Sequence, residues 1–171
     1  MIQLKVNSII PVAGVPTGGG GGIIQTVQTI KTDTTSSNSA SMVDCTGMSV
    51  TITPTSSSSK ILVTVIANVG TGSGMRTMAR ILRGSTAIGV GTDVGSSQAC
   101  GMSSRDQDNG VTETIAQTII DSPNTTIATT YKMQWKVESS HTFYLNRCVW
   151  DTDNSGYQRT VSMIMAQEVS A

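Results

Sequence analysis

His141 is the single histidine of the chain, and it follows Ser139 and Ser140 in "ESSHTF". A nucleophilic triad needs an exposed hydroxyl, a base within hydrogen-bond reach and a carboxylate that orients the base. Adjacent serines in an extended chain point to opposite faces, so no nucleophile–base pair is expected, and His141 is read as a surface or interface residue. Cys45, Cys100 and Cys148 lie far apart with no CxxC pair. An odd, scattered set points to buried free thiols rather than to a disulfide framework or a zinc site. No catalytic residue is assigned.

Two loops are rich in acidic residues. "DTDNSG" places Asp151, Asp153, Ser155 and Gly156 at the spacing that opens an EF-hand loop, but Ser162 stands where the bidentate carboxylate belongs. "DQDNG", with Asp106, Asp108, Asn109 and Gly110, has a turn composition. Asp151, Asp153, Asp106 and Asp108 are thus weak calcium candidates, and no metal or cofactor is assigned. The glycine run in "VPTGGGGGIIQTV" is followed by neither Lys-Ser nor Lys-Thr, which excludes a phosphate loop. Asn124 opens an N-x-T sequon in "NTT", read as a plain loop. Trp150 and Tyr157 bracket "DTDNSG", and exposed aromatics there would suit glycan contact; a Trp capping the end of a sandwich is the competing reading.

The elements that position these residues are strands. "TYKMQWKV" alternates Tyr131, Met133, Trp135 and Val137 with Thr130, Lys132, Gln134 and Lys136, which predicts a half-buried strand. "GMSVTITP" sends Met48, Val50 and Ile52 inward. In 23–31 the apolar Ile24, Val27 and Ile30 are spaced as in a helix, but their β-branching and the flanking threonines favour a strand. Further strands are expected at 76–83, 86–91, 112–121 and 141–149. Eight to ten short strands separated by turn clusters such as "PTSSSS", "GTGSG" and "DSPNTT" predict an all-β antiparallel sandwich, jelly-roll-like, with a self-filling barrel as the alternative.

Two strands are apolar on both faces. In "KILVTVIANV", Ile61, Val63, Val65 and Val69 line one face while Leu62 and Ile66 stand on the other. "RTVSMIMAQEV" sets Val161, Met163 and Met165 against Ile164 and Ala166. A second copy of the chain would cover the spare faces, so Leu62, Ile66 and Ile164 are expected at a subunit interface.

Composition limits the function. Eleven basic and eleven acidic residues balance to zero, which disfavours nucleic acid as the main partner. Charged residues are only 13% of the chain, and Ser and Thr make up roughly a quarter, as in extracellular or virion-surface β proteins. No run of 18 apolar residues exists, so membrane insertion is not expected. Polar Gln3, Asn7 and Ser8 interrupt the first apolar stretch, which disfavours a signal peptide; exit from a cell would be by assembly and lysis.

Taken in order, "IIQTVQTIKTDT", "VTITPTSSSSKILV", "RILRGSTAIGVG", "DSPNTTIATTYKMQ", "FYLNR", "DTDNSGYQRT" and "MAQEVSA" resemble a domain that recurs in tailed-phage virion proteins. That domain is frequent in phages of marine bacteria and cyanobacteria, in tail-fibre knobs and in small capsid or tail appendage proteins. The resemblance covers about residues 23–171. It implies a compact β-sandwich knob, trimeric assembly, partners among other capsid or tail proteins, a place in the virion after assembly in the host cytoplasm, and no enzymatic motif.

The glycine run then separates two jobs. Residues 1–17 are read as an N-terminal anchoring arm whose Ile2, Leu4, Val6, Ile9 and Ile10 add to a neighbour's sheet edge. Residues 18–22 form a tether and 23–171 the knob. The expected function is a non-enzymatic decoration or short-fibre protein; the alternative is a tail-fibre module that grips host-surface glycans through loops near 103–110 and 150–157.

Overall fold

The computed structural model describes residues 22–72, 74–95, 98–105, 108–139 and 141–170. The arm, most of the glycine tether and Asp106 lie outside them. Every regular element among the described residues is a strand: β1 (Ile23–Lys31), β2 (Thr35–Ser37), β3 (Val43–Ile52), β4 (Lys60–Thr71), β5 (Arg76–Arg83), β6 (Thr86–Ile88), β7 (Met102–Arg105), β8 (Glu113–Asp121), β9 (Thr129–Val137), β10 (Phe143–Leu145) and β11 (Ser162–Val169). The helix-like spacing in β1 resolves as expected for β-branched residues: Ile24 and Ile30 are exposed and Val27 faces inward.

All ladders are antiparallel and form two sheets, so the fold is a β-sandwich. In the first sheet β1, β11, β4 and β8 lie side by side, and β10 carries β2 along the last residues of β4. The second has the order β3-β9-β5, with β6 and β7 both pairing β5. Eleven strands appear where eight to ten are expected, because β2 and β7 lie outside every expected span and have three and four residues, too few to show an alternation. The span 141–149 shrinks to β10, since the chain leaves the sheet at buried Asn146 with φ 64°.

The predicted inward faces form the core. Met48, Val50 and Ile52 of β3, Ile61, Val63, Val65 and Val69 of β4, and Tyr131, Met133, Trp135 and Val137 of β9 are all buried together. Trp135 meets Phe143 edge-on, with centroids 4.1 Å apart, and so joins the two sheets.

Side chains close both flanks of the sandwich. On one, Gln25 Nε2 donates to the Thr53 carbonyl at 2.7 Å and Thr29 Oγ1 to that of Ser49 at 2.7 Å, tying β1 to β3. On the other, Asp121 at the end of β8 accepts from Arg83 at 2.8 Å and from the Tyr131 hydroxyl at 2.7 Å.

Two polar clusters are buried in the first sheet. Glu168 on β11 accepts from Gln25, from the Thr55 amide and from the Thr55 hydroxyl at 2.6–2.7 Å. Burial raises its pKa, but hydrogen bonds from Gln25, Thr55 and Ser59 outweigh that and hold the carboxyl down at about 2. Asn146 Nδ2 donates to the carbonyls of Lys31 and Asp33, and its Oδ1 accepts from Ser162 Oγ at 2.6 Å.

Candidate functional site

In an antiparallel ladder, directly opposed residues share a face, so register fixes what each sheet presents outward. Across β1, β11, β4 and β8 the outward rows are Ile30–Met163–Ile66–Ala116, Gln28–Met165–Thr64–Thr118 and Thr26–Gln167–Leu62–Ile120. None of these twelve positions is charged. Ile30 is 56% exposed, Ile66 36% and Ile120 68%, and Val161 just before β11 is 53% exposed. Lys60, at the rim, turns its ammonium to Ser122 Oγ at 2.8 Å.

Leu62 and Ile66 therefore stand where the sequence places them, on the face away from the core. Ile164 does not. It opposes Val65 and Thr29, both inward, and is fully buried in the core. The outward residues of β11 are Met163 and Met165. With apolar side chains at every position of "MIMA", alternation identifies two faces but not which one is the core. Ile30 and Ile120 were missed for a related reason: their alignment with Met163, Ile66 and Leu62 depends on strand order.

The outer face of the second sheet has the opposite chemistry. Asp44, Gln134 and Arg80 form one row across β3, β9 and β5. Lys132 Nζ reaches Asp44 at 2.6 Å, Gln134 Nε2 donates to Asp44 at 2.8 Å, and Arg80 forks onto Gln134 Oε1 at 3.0 and 2.7 Å. The hydrogen bonds from Lys132 and then Gln134 hold the Asp44 carboxyl below the usual range. Arg76 pairs with Glu138 at 2.7 Å.

The segment between β10 and β11 forms a loop tip at one end. Gly70 on β4 admits this segment, because a Cβ there would stand 2.5 Å from the Arg147 carbonyl oxygen. An Arg147–Arg159 bridge closes the neck, and Arg159 forks onto Asp151 at 2.7 and 2.8 Å. Arg147 lies 3.6 Å over the Tyr144 ring. The amides of Val149 and Trp150 both donate to the Asn109 carbonyl, so the loops expected to act together do meet here.

The other predicted positions fall as follows. Asp108 caps the Gly110 amide at 2.7 Å. Asp151 is engaged by Arg159, and Asp153 is exposed. Among the described residues no three of His, Cys, Asp and Glu gather closely enough to hold a metal. His141 is exposed, and its Nδ1 lies 2.9 Å from Ser139 Oγ, a contact between residues two apart that the alternation argument did not anticipate. No carboxylate among the described residues bonds its other ring nitrogen. Cys45 and Cys148 are buried, Cys100 is partly exposed and all three are free. Burial pushes the Cys45 thiol up to about 12, which makes it unreactive.

No protein-family profile matches the chain, and no curated protein matches it. Among solved structures it is similar to the infectious bursal disease virus Gx strain structure, at 15% identity and TM-score 0.40, over 94% of this chain and 44% of that one. It is also similar to the VP2 subviral particle of infectious bursal disease virus, at 13% identity and TM-score 0.38, over 94% and 44% of the two chains. The chain thus spans less than half the length of the solved proteins it matches.

Proposed function

We propose that this protein is a non-enzymatic structural subunit of a tailed-phage virion, a decoration or short-fibre knob that trimerises through the outer face of its first sheet. The observation that carries the reading is that uncharged, partly apolar face. An exposed sheet face normally alternates to polar and charged residues, as the second sheet does. Here Ile30, Met163, Ile66, Leu62 and Ile120 stay at the surface with no charge among them. A neutral face meets a copy of itself without like-charge repulsion, which suits a second copy of this chain better than a charged partner.

The choice of three copies comes from the resemblance to phage appendage domains, and the area of the face is small for either assembly. Four strands about 4.8 Å apart and about four rows of outward residues give a patch of roughly 400 Å². Two such faces bury about 800 Å² in total, and three around a three-fold axis bury about 1,200 Å² shared among three pairwise contacts.

The sequence segments that resemble phage appendage domains support a place in the virion. Residues 1–17, with Ile2, Leu4, Val6, Ile9 and Ile10, supply the anchor to other capsid or tail proteins. β1 begins at Ile23, directly after the glycine run, and the residues before the run are assigned to the anchor. Deleting residues 1–17 is expected to leave the melting temperature of the knob unchanged and to abolish its incorporation into particles, read by protein composition of purified virions. A truncated knob that unfolds, or that still incorporates at wild-type level, contradicts this reading.

A further inference from the structure

The loop tip is built as a recess without being needed by the core. Its neck is fixed by the Arg147–Arg159 bridge and by the Thr160 amide donating to the Asn146 carbonyl at 3.0 Å. Its one tight charge cluster holds Asp151 between Arg159 at 2.7 Å and Arg147 at 3.7 Å. The loop is therefore shaped before any ligand arrives. It encloses an open recess of about 390 Å³, lined by Asp151, Asp153, Asn154, Tyr157, Gln158 and Arg159 together with the Thr152 hydroxyl. That volume is at the small end of ligand sites and holds about one or two hexose rings.

Trp150 stands beside the recess, 46% exposed, with its centroid 5.4 Å from the Tyr157 ring and the planes at 52°. Its back rests on Gly110, where an added Cβ would come within 3.2 Å of the indole carbons. The fold thus holds a large aromatic surface rigid and leaves it half in water. The recess is lined by hydroxyl, amide and carboxylate side chains, the Arg159 guanidinium and the Tyr157 ring, with Trp150 against Tyr157. Planar polar groups that pair with hydroxyls, next to an aromatic plane that accepts C–H bonds, match a sugar ring and do not fit a lipid chain.

We propose that this recess is a saccharide-binding site for neutral or N-acetylated sugars. Trp150 and Tyr157 stack on the sugar's C–H face, and Asp153, Asn154 and Gln158 bond its hydroxyls. The charge pattern excludes acidic sugars. Arg159 spends its fork on Asp151, and Arg147 lies against the Tyr144 ring outside the recess lining, so the open charge inside the recess is the Asp153 carboxylate.

The test is saturation-transfer NMR on the full chain, with methyl glucoside, methyl mannoside, methyl galactoside, N-acetylglucosamine, N-acetylgalactosamine and glucuronic acid as probes. At least one neutral probe is expected to bind with a Kd of about 1 mM, and glucuronic acid at least about tenfold more weakly. Trp150→Ala is expected to weaken binding about tenfold, and Asp153→Asn severalfold with better tolerance of glucuronic acid. Asp153 is exposed and unpartnered, so D153N keeps the test valid even if W150A misfolds. Absence of transfer to every neutral probe, preference for glucuronic acid, or unchanged affinity in D153N overturns the assignment.

Discussion

Across β3, β9 and β5 the outer row Asp44–Gln134–Arg80 is satisfied within the sheet, by hydrogen bonds and the Lys132 ion pair. Across β1, β11, β4 and β8 the outer row Ile30–Met163–Ile66–Ala116 has no charge to satisfy and keeps Ile30 and Ile66 exposed. Both rows cross the same kind of antiparallel ladder, and both sit over the same core. The difference lies in side chains that play no part in defining the sandwich. A face whose charges pair with one another is finished in water, whereas a face with exposed isoleucines and no charge gains by meeting another surface. On the proposed reading, fold and assembly are written on opposite faces of the same strands.

The sharpest break in that comparison comes from two neighbouring positions on β11 and β4. Ile164 faces the core, so Ile164→Asp buries a carboxylate without a partner, at a cost of several kcal/mol. It is expected to unfold the chain, read by loss of the cooperative melt. A variant that stays folded would mean that β11 is shifted in register by one residue.

Glu168 offers the next largest effect. It anchors the first sheet to the 53–59 turn, and Glu168→Gln is expected to lower stability by about 1–3 kcal/mol. Its carboxyl is held at about 2 in the folded protein against 4.5 ordinarily. Its contribution is therefore present in full above pH 4.5 and fades as pH falls toward 2. Melting temperature should decline over that window in the wild type and more shallowly in Glu168→Gln; equal slopes would remove Glu168 from the account.

Asp44 is the contrast on the finished face. Its carboxyl is also depressed, by Lys132 and then Gln134, but it is exposed. Asp44→Ala is expected to cost less than about 1 kcal/mol and to leave the oligomeric mass unchanged. A change in mass would place the interface on the second sheet.

These contrasts also mark what was legible in the sequence. Met48, Val50, Ile52 and the Tyr131–Val137 strand declared their buried faces because the alternate positions are polar. Strand β11 did not, since Met163, Ile164 and Met165 are all apolar and only the ladder with β4 separates core from surface. Glu168 and Lys31 are charged and yet buried, which the sequence analysis did not anticipate. The partners of Glu168 come from Gln25 and Thr55, 143 and 113 residues away, so nothing local announces the cluster. Trp150 and Tyr157 were readable as a pair because both flank one loop. That loop was also expected to act with the one near 103–110, and the path past Gly70 brings the two together at Asn109.

Sedimentation velocity of the wild type and of Ile66→Asp at micromolar concentration tests the central claim most directly. The wild type is expected at about 54 kDa, three times the 17.9 kDa chain. Ile66→Asp, altered only on the outer face, is expected to run as a folded 17.9 kDa monomer. A monomeric wild type, or a variant that keeps the trimer mass, contradicts the assignment of the first sheet's outer face as the interface between copies.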